Sequence, residues 1–233
     1  MSIPTEIDCE NPAGEPVLDV ADVVALEKSI EASGTSLLEL MKRAGASIAD
    51  LVMDERGGNE GASRVVAVCG SGNNGGDGWV AASILAGHGF EASVVTSRMP
   101  EELTAEPART AAKEAADGAG LSVSLNPDSK ELHDLLDEAD FVIDAILGTG
   151  FNGSSIKEPY ADWIRAMNEA HGYVVAADVP SGVSAQTGAA ADPSVIADAT
   201  VTMLTLKPGL LADASSHCIG TLYLADLDND TDD

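Results

Sequence analysis

The chain has 233 residues, enough for one sizeable core, and 45% of them are hydrophobic. Twelve basic residues against 39 acidic ones leave a net charge of −27, the wrong sign for gripping a nucleic-acid backbone. No apolar run approaches the roughly 18 residues of a membrane span. The three cysteines and four histidines are scattered, with neither a disulfide framework nor a transition-metal spacing, which points to a reducing cytoplasm.

Residues 1–16 carry acids and prolines but no basic or apolar stretch, and are expected to form a mobile leader without targeting character. Two helices follow, the first from about Ala21 to Glu31. Ser36 and Glu39 stand at capping-box spacing before the second, marked by Leu37, Leu40, Met41, Ala44, Ile48, Leu51 and Val52. Residues 55–63 read as a polar linker. The pattern then changes to short apolar runs. Strands are expected at Val65–Val68, Ala92–Thr96, Leu121–Leu125, Phe141–Ala145, Tyr173–Ala177, Thr200–Leu206 and Thr221–Ala225. Helices are expected at Thr104–Ala116, Lys130–Asp137 and Tyr160–Ala170, and a loop entering a helix at Gly75–Ala86. Wholly apolar strands alternating with helices predict an α/β, doubly wound, Rossmann-like and mostly parallel sheet. Helices would cover both faces, with an N-terminal helical arm. Residues 17–226 form the single domain of this reading, and 227–233 an acidic tail.

Three motifs end strands, where such sheets bind ligands. The first is Gly70-Ser71-Gly72-Asn73-Asn74-Gly75-Gly76-Asp77-Gly78. It satisfies G-x-G-x-x-G, whose glycines allow a backbone to approach a phosphate closely. Asp77 is foreign to a pyrophosphate turn, and suits a helix cap or a sugar hydroxyl better. The second runs from Asp144 through Gly148-Thr149-Gly150-Phe151-Asn152-Gly153-Ser154, a carboxylate closing an apolar strand before an anion nest. The third is Asp178-Val179-Pro180-Ser181-Gly182. Asn74, Asp144 and Ser181 offer an amide oxygen, a carboxylate and a hydroxyl. That hard, weakly charged set suits a monovalent cation better than Mg²⁺ or Ca²⁺.

These motifs, with Leu40-Met41-Lys42-Arg43-Ala44-Gly45 and Lys207-Pro208-Gly209, resemble the NAD(P)H-hydrate epimerase family of the YjeF N-terminal domain type. The resemblance spans about Leu18 to Asp226. It implies an isomerase of nicotinamide nucleotide repair. Such an enzyme interconverts the R and S forms of hydrated NAD(P)H (NADHX and NADPHX) at C6, so that a separate dehydratase can restore NAD(P)H. It implies a homodimer and a potassium ion on Asn74, Asp144 and Ser181. It also places Asn73, Asn74, Gly75, Gly76, Asp77, the run Gly148, Thr149, Gly150, Phe151, Asn152, Gly153 and Ser154, and Asp178 against the substrate. Epimerisation by loss and return of the C6 hydroxyl needs an acid and then a base, and Asp178 is assigned both roles. Two other readings stand beside this one. One is a non-catalytic nucleotide-binding scaffold on the same fold; the other is an NAD(P)-dependent oxidoreductase, against which Asp77 and the lack of a Tyr-x-x-x-Lys pair both count.

A shell of −27 repels itself in dilute buffer, whereas at about 1 M salt the screening length falls to roughly 3 Å. A halophilic, salt-rich cytoplasm is therefore expected. Thermal melting should rise steadily with KCl; equal melting temperatures in dilute buffer and molar KCl would contradict this.

Overall fold

The computed structural model describes residues 3–10, 12, 14–57, 63–118, 120–152 and 155–227. Its strands are β1 (Thr5–Glu6), β2 (Arg64–Cys69), β3 (Glu91–Thr96), β4 (Leu121–Leu125), β5 (Phe141–Ala145), β6 (Tyr173–Ala177), β7 (Ala199–Met203) and β8 (Thr221–Ala225). Its helices are α1 (Val20–Ser33), α2 (Leu37–Arg56), α3 (Asn73–Gly87), α4 (Ala108–Ala116), α5 (Ser129–Asp137), α6 (Tyr160–Glu169) and α7 (Ser216–Ile219). The strands make one sheet in the order β1-β8-β7-β6-β5-β2-β3-β4. All pairings are parallel except β1 on β8.

The period of two along each strand builds a core on either face. Val65, Ala67 and Cys69 pack with Ile30 of α1, Ile48 of α2, Trp79 of α3 and Ala112 of α4. Val66 and Val68 point the other way, to Leu132 and Leu136 of α5 and Trp163, Ile164 and Met167 of α6. Both faces of the central strands are covered, which is why β2, β5 and β6 are apolar along most of their length, whereas the edge strand β4 alternates with Ser122 and Ser124. The fold is the expected doubly wound one.

Several boundaries moved, each for a local reason. Thr5–Glu6, inside the segment expected as a leader, pairs with Leu224 and Tyr223 of β8, and Ile7 beside it is buried. Ser36 does cap α2, accepting from the Glu39 N–H at 3.1 Å, but the Glu39 carboxylate turns to Arg43 instead of closing a capping box. α4 starts at Ala108 and not at Thr104, because Pro107 bars Glu106 from helical backbone. β7 stops at Met203, where Leu204 takes φ +65°. Residues 58–62 of the expected linker and 228–233 of the expected tail lie outside the described residues.

The glycines of the first motif serve packing more than openness. α3 begins at Asn73, directly after Gly72, and wedges between the sheet and α2. A Cβ on Gly70 would sit 2.0 Å from the Ile146 carbonyl oxygen, and one on Gly75 2.0 Å from that of Gly70. One on Gly76 would strike Met41 of α2, and one on Gly78 would strike Ala145 and Cys69 of the sheet. Gly45 of α2 is pressed against Val80 in the same way. Gly72 alone in this loop has open space around its Cβ position. Gly70→Ala should therefore cost about 1–3 kcal/mol through overpacking, and Gly72→Ala close to nothing, as read by urea unfolding.

Candidate active site

The strand order reverses between β2 and β5, and the loops leaving their carboxyl ends part there. A cavity of about 690 Å³ opens at this point. The loop 71–74 and α3 form one wall and residues 146–152 after β5 another. Asp178 after β6 and Met203, Leu204 and Lys207 after β7 form the floor, and α1 and α2 close the side with Val20, Val23, Glu27, Leu40 and Met41.

Asp178 is held by its neighbours. It has φ +65°, in left-handed backbone, and the N–H of Val179 donates back across it to the Ala177 carbonyl at 2.8 Å. This is a γ-turn of the rare positive-φ kind. Leu204 repeats the arrangement one strand over, with φ +65° and Thr205 N–H donating to the Met203 carbonyl at 2.7 Å. Backbone strain of this kind costs about 1–3 kcal/mol per residue and gathers at functional sites. The Asp178 carboxylate accepts from the Thr149 N–H at 3.1 Å, the Thr149 hydroxyl, the Thr202 hydroxyl at 3.4 Å and Lys207 Nζ at 2.7 Å. Lys207, 1% exposed, gives its other protons to the Thr202 hydroxyl and the Met203 carbonyl, each at 2.8 Å. Burial pushes the Asp178 carboxyl up, but the Lys207 charge and the hydrogen bonds of Lys207 and Thr149 outweigh it. The carboxyl stays below its ordinary value.

Asp77 faces the same cavity in the opposite condition. It is the fifth residue of α3, too far along to cap the helix, and no hydrogen bond reaches its carboxyl among the described residues. Burial first, then the charges of Asp178 and Glu27, raise it well above the ordinary carboxylate value, against a partial offset from Lys207. Glu27, from α1, is raised more modestly by burial and by Asp178.

Asp144 is fully buried at the end of β5. It accepts from the Ser181 N–H at 2.7 Å, the Ser181 hydroxyl at 2.6 Å and the Ile146 N–H at 3.3 Å. Burial pushes it up to about 6, against the lowering effect of those donors. Among the described residues no cationic side chain pairs with it. The Ser181 hydroxyl in turn accepts from the Leu147 N–H at 2.8 Å. The Asn74 side chain lies under Gly148, with both amide atoms buried and without a protein partner.

Of the residues expected against a substrate, Asn73, Asn74, Asp77, Gly148, Thr149, Gly150, Phe151, Asn152 and Asp178 line the cavity. Gly75 and Gly76 do not: they are buried where α3 meets Gly70, Met41 and Ala108. Gly153 and Ser154 lie outside the described residues. Lys207 and Glu27 were not singled out from the sequence as site residues. Lys207 stood in a recognised motif, but nothing local shows that a lysine will be wholly buried. Glu27 sits in a helix of ordinary amphipathic composition, and only the tertiary fold brings it to the cavity.

A doubly wound sheet with carboxylates and a helix N-terminus gathered at its switch point defines a Rossmann-like α/β protein whose candidate site lies at the strand ends. Residues 37–209 match the family of the YjeF-related protein N-terminus, and the chain belongs to it. It is 38% identical to the NAD(P)H-hydrate epimerase of Cenarchaeum symbiosum, over 83% of this chain and 87% of that one. It is 39% identical to the bifunctional NAD(P)H-hydrate repair enzyme Nnr of Methanothermobacter thermautotrophicus, over 84% of this chain. That match takes in only 38% of the bifunctional relative's length. The crystal structure of yeast ynu0 superposes with a TM-score of 0.72 at 24% identity, covering 83% of this chain and 82% of that one, and shares the fold.

Removing one partner of a buried ion pair strands the other. Lys207→Met should therefore cost about 3–5 kcal/mol of stability, with much of the loss recovered in the Lys207→Met/Asp178→Asn double variant. A carboxyl depressed in the folded state stabilises above its unfolded value, and that gain is lost as pH falls through the folded one. The cost of Lys207→Met should thus be largest near neutral pH and shrink as acid protonates Asp178, as measured by urea unfolding across the acid range.

Proposed function

We propose that this chain is an epimerase of hydrated NAD(P)H, interconverting the R and S forms of NADHX and NADPHX at C6. The carrying observation is Asp178, kept ionised by buried Lys207 on the floor of a cavity built at the sheet's switch point. The C6 hydroxyl is that of a carbinolamine. When the ring nitrogen donates its lone pair, the C–O bond breaks and water leaves. Water then adds to the resulting iminium from the other face. Asp178, ionised at the start, takes a proton from the entering water as base, and in the reverse direction gives that proton to the departing oxygen as acid. Its rigid seating fixes where the proton is exchanged. The negative shell offers a polyanionic substrate no long-range attraction. Recognition rests on short-range donors: the N-terminal turn of α3, which no side chain caps, and the backbone of residues 148–152.

Potassium is part of the proposal. Asn74, Asp144 and Ser181 would hold it, and the fit is supported by two observations: an Asn74 amide buried without a protein partner, and a buried Asp144 carboxylate without a cationic one among the described residues. When bound, the ion would offset the Asp144 charge and add positive potential near the substrate's phosphates. No group of three His, Cys, Asp or Glu suited to a transition metal occurs among the described residues. Assembly as a homodimer and work alongside a separate dehydratase complete the reading, the latter supported by relatives named as bifunctional repair enzymes. No helix among the described residues is long and apolar enough to cross a membrane. With the acidic surface, this supports a place in a salt-rich cytoplasm.

The test is a mixture of R and S epimers with a dehydratase specific for one. The chain should let both be consumed fast, and Asp178→Asn should slow this about 100-fold or more. Replacing potassium by a large organic cation should slow it too. Hydride transfer to a carbonyl would point to an oxidoreductase, and binding without turnover to a scaffold.

A further inference from the structure

We propose that Asp77 is a second acid–base group of this reaction, acting from the α3 wall while Asp178 acts from the end of β6. The inference rests on the epimerase reading and adds a residue to its chemistry. Epimerisation sends water away from one face of a ring and brings it back to the other. A single carboxylate seated as rigidly as Asp178 serves one direction of approach. A second carboxyl on another element of the same cavity gives the other face a group of its own.

The two are built for complementary protonation. Asp178 accepts from Thr149, Thr202 and Lys207, and so holds a negative charge. Asp77 lines the cavity without a donor among the described residues, beside the charges of Asp178 and Glu27. Two carboxylates facing one partly enclosed cavity do not both ionise readily, and the one without donors is the one to keep the proton. A carboxyl placed for a structural cap would stand at the start of α3, and Asp77 does not.

The step balances. The Asp77 carboxylic acid gives its proton to the C6 hydroxyl as the C–O bond breaks, water leaves, and the ring nitrogen lone pair forms the C=N bond of the iminium. A water on the other face then attacks C6, the C=N electron pair returns to nitrogen, and Asp178 takes the water's proton. Asp77 is left ionised and Asp178 protonated, and transfer of that proton back through water restores the start. The reverse epimerisation runs the same steps backwards. Nothing is oxidised or reduced.

Asp77→Asn tests this in the coupled epimer assay. The expected result is a kcat about 100-fold or more below the parent chain, while the Kd for NADPH, used as the binding probe, stays within about threefold. The parent's kcat should also fall at alkaline pH as Asp77 ionises, and this limb should vanish from the residual activity of the variant. The ionisable groups facing Asp77 are Asp178 after β6, Glu27 of α1 and Lys207 after β7. A kcat within about threefold of the parent overturns the proposal, as does a raised KM at unchanged kcat, which would make Asp77 a ligand for a sugar hydroxyl. Should Asp77→Asn not fold, the parent's kcat decides, and a flat profile between about pH 5 and 9 overturns the proposal. If the parent chain itself has no epimerase activity, both readings fall. If it is active and Asp77→Asn matches it, only the role of Asp77 does.

Discussion

Lys207 Nζ has three protons and gives each to an acceptor: the Asp178 carboxylate, the Thr202 hydroxyl and the Met203 carbonyl. With the side chain 1% exposed, water cannot substitute for any of them. The other ion pairs described join side chains a quarter exposed or more, where solvent screens most of the gain. The buried pair fixes the charge on Asp178, and that charge adds to burial in raising Asp77 and Glu27, against a partial offset from Lys207. It also ties the end of β6 to the end of β7. The cavity floor is thus one electrostatic unit carried on two adjacent strands.

This unit answers the difficulty set by composition. A chain of net charge −27 gathers Asp77, Asp178 and Glu27 around the cavity, with Asp144 beneath it. Each is made tolerable by a different device. Asp178 has an ammonium, Asp144 has three hydrogen-bond donors, Asp77 has its carboxyl raised well above the ordinary value by burial, and Glu27 is partly solvated. Acidity at the surface and acidity at the site are therefore separate matters: salt acts on the first, and fixed partners on the second.

Much of this was legible in the residues. Strand and helix order followed from runs such as Val65–Val68 and Phe141–Ala145, because a sheet buried on both faces leaves no room for polar alternation. The three motifs came together because strand ends share one edge. What the residues hid was mostly long-range. Glu27 reaches the cavity only once α1 folds over it. Lys207 looks like any lysine until Thr202 and Met203, five and four positions away, are seen to accept from it. The first motif was half misread. Its glycines suggested a cradle for phosphate, but Gly75, Gly76 and Gly78 let α3 sink against Gly70, α2 and the sheet, which in turn sets Asn74 and Asp77 in the cavity wall.

The paired γ-turns at Asp178 and Leu204 have a consequence of timing. Each closes over a single residue, and each sits where a parallel strand ends. Such turns have almost no slack, and they lie at the ends of two adjacent interior strands of the sheet. The floor of the cavity is therefore set when the sheet forms and does not wait for a guest. Its strain is met once, in the making of the fold, and any ligand the cavity takes finds that work already done.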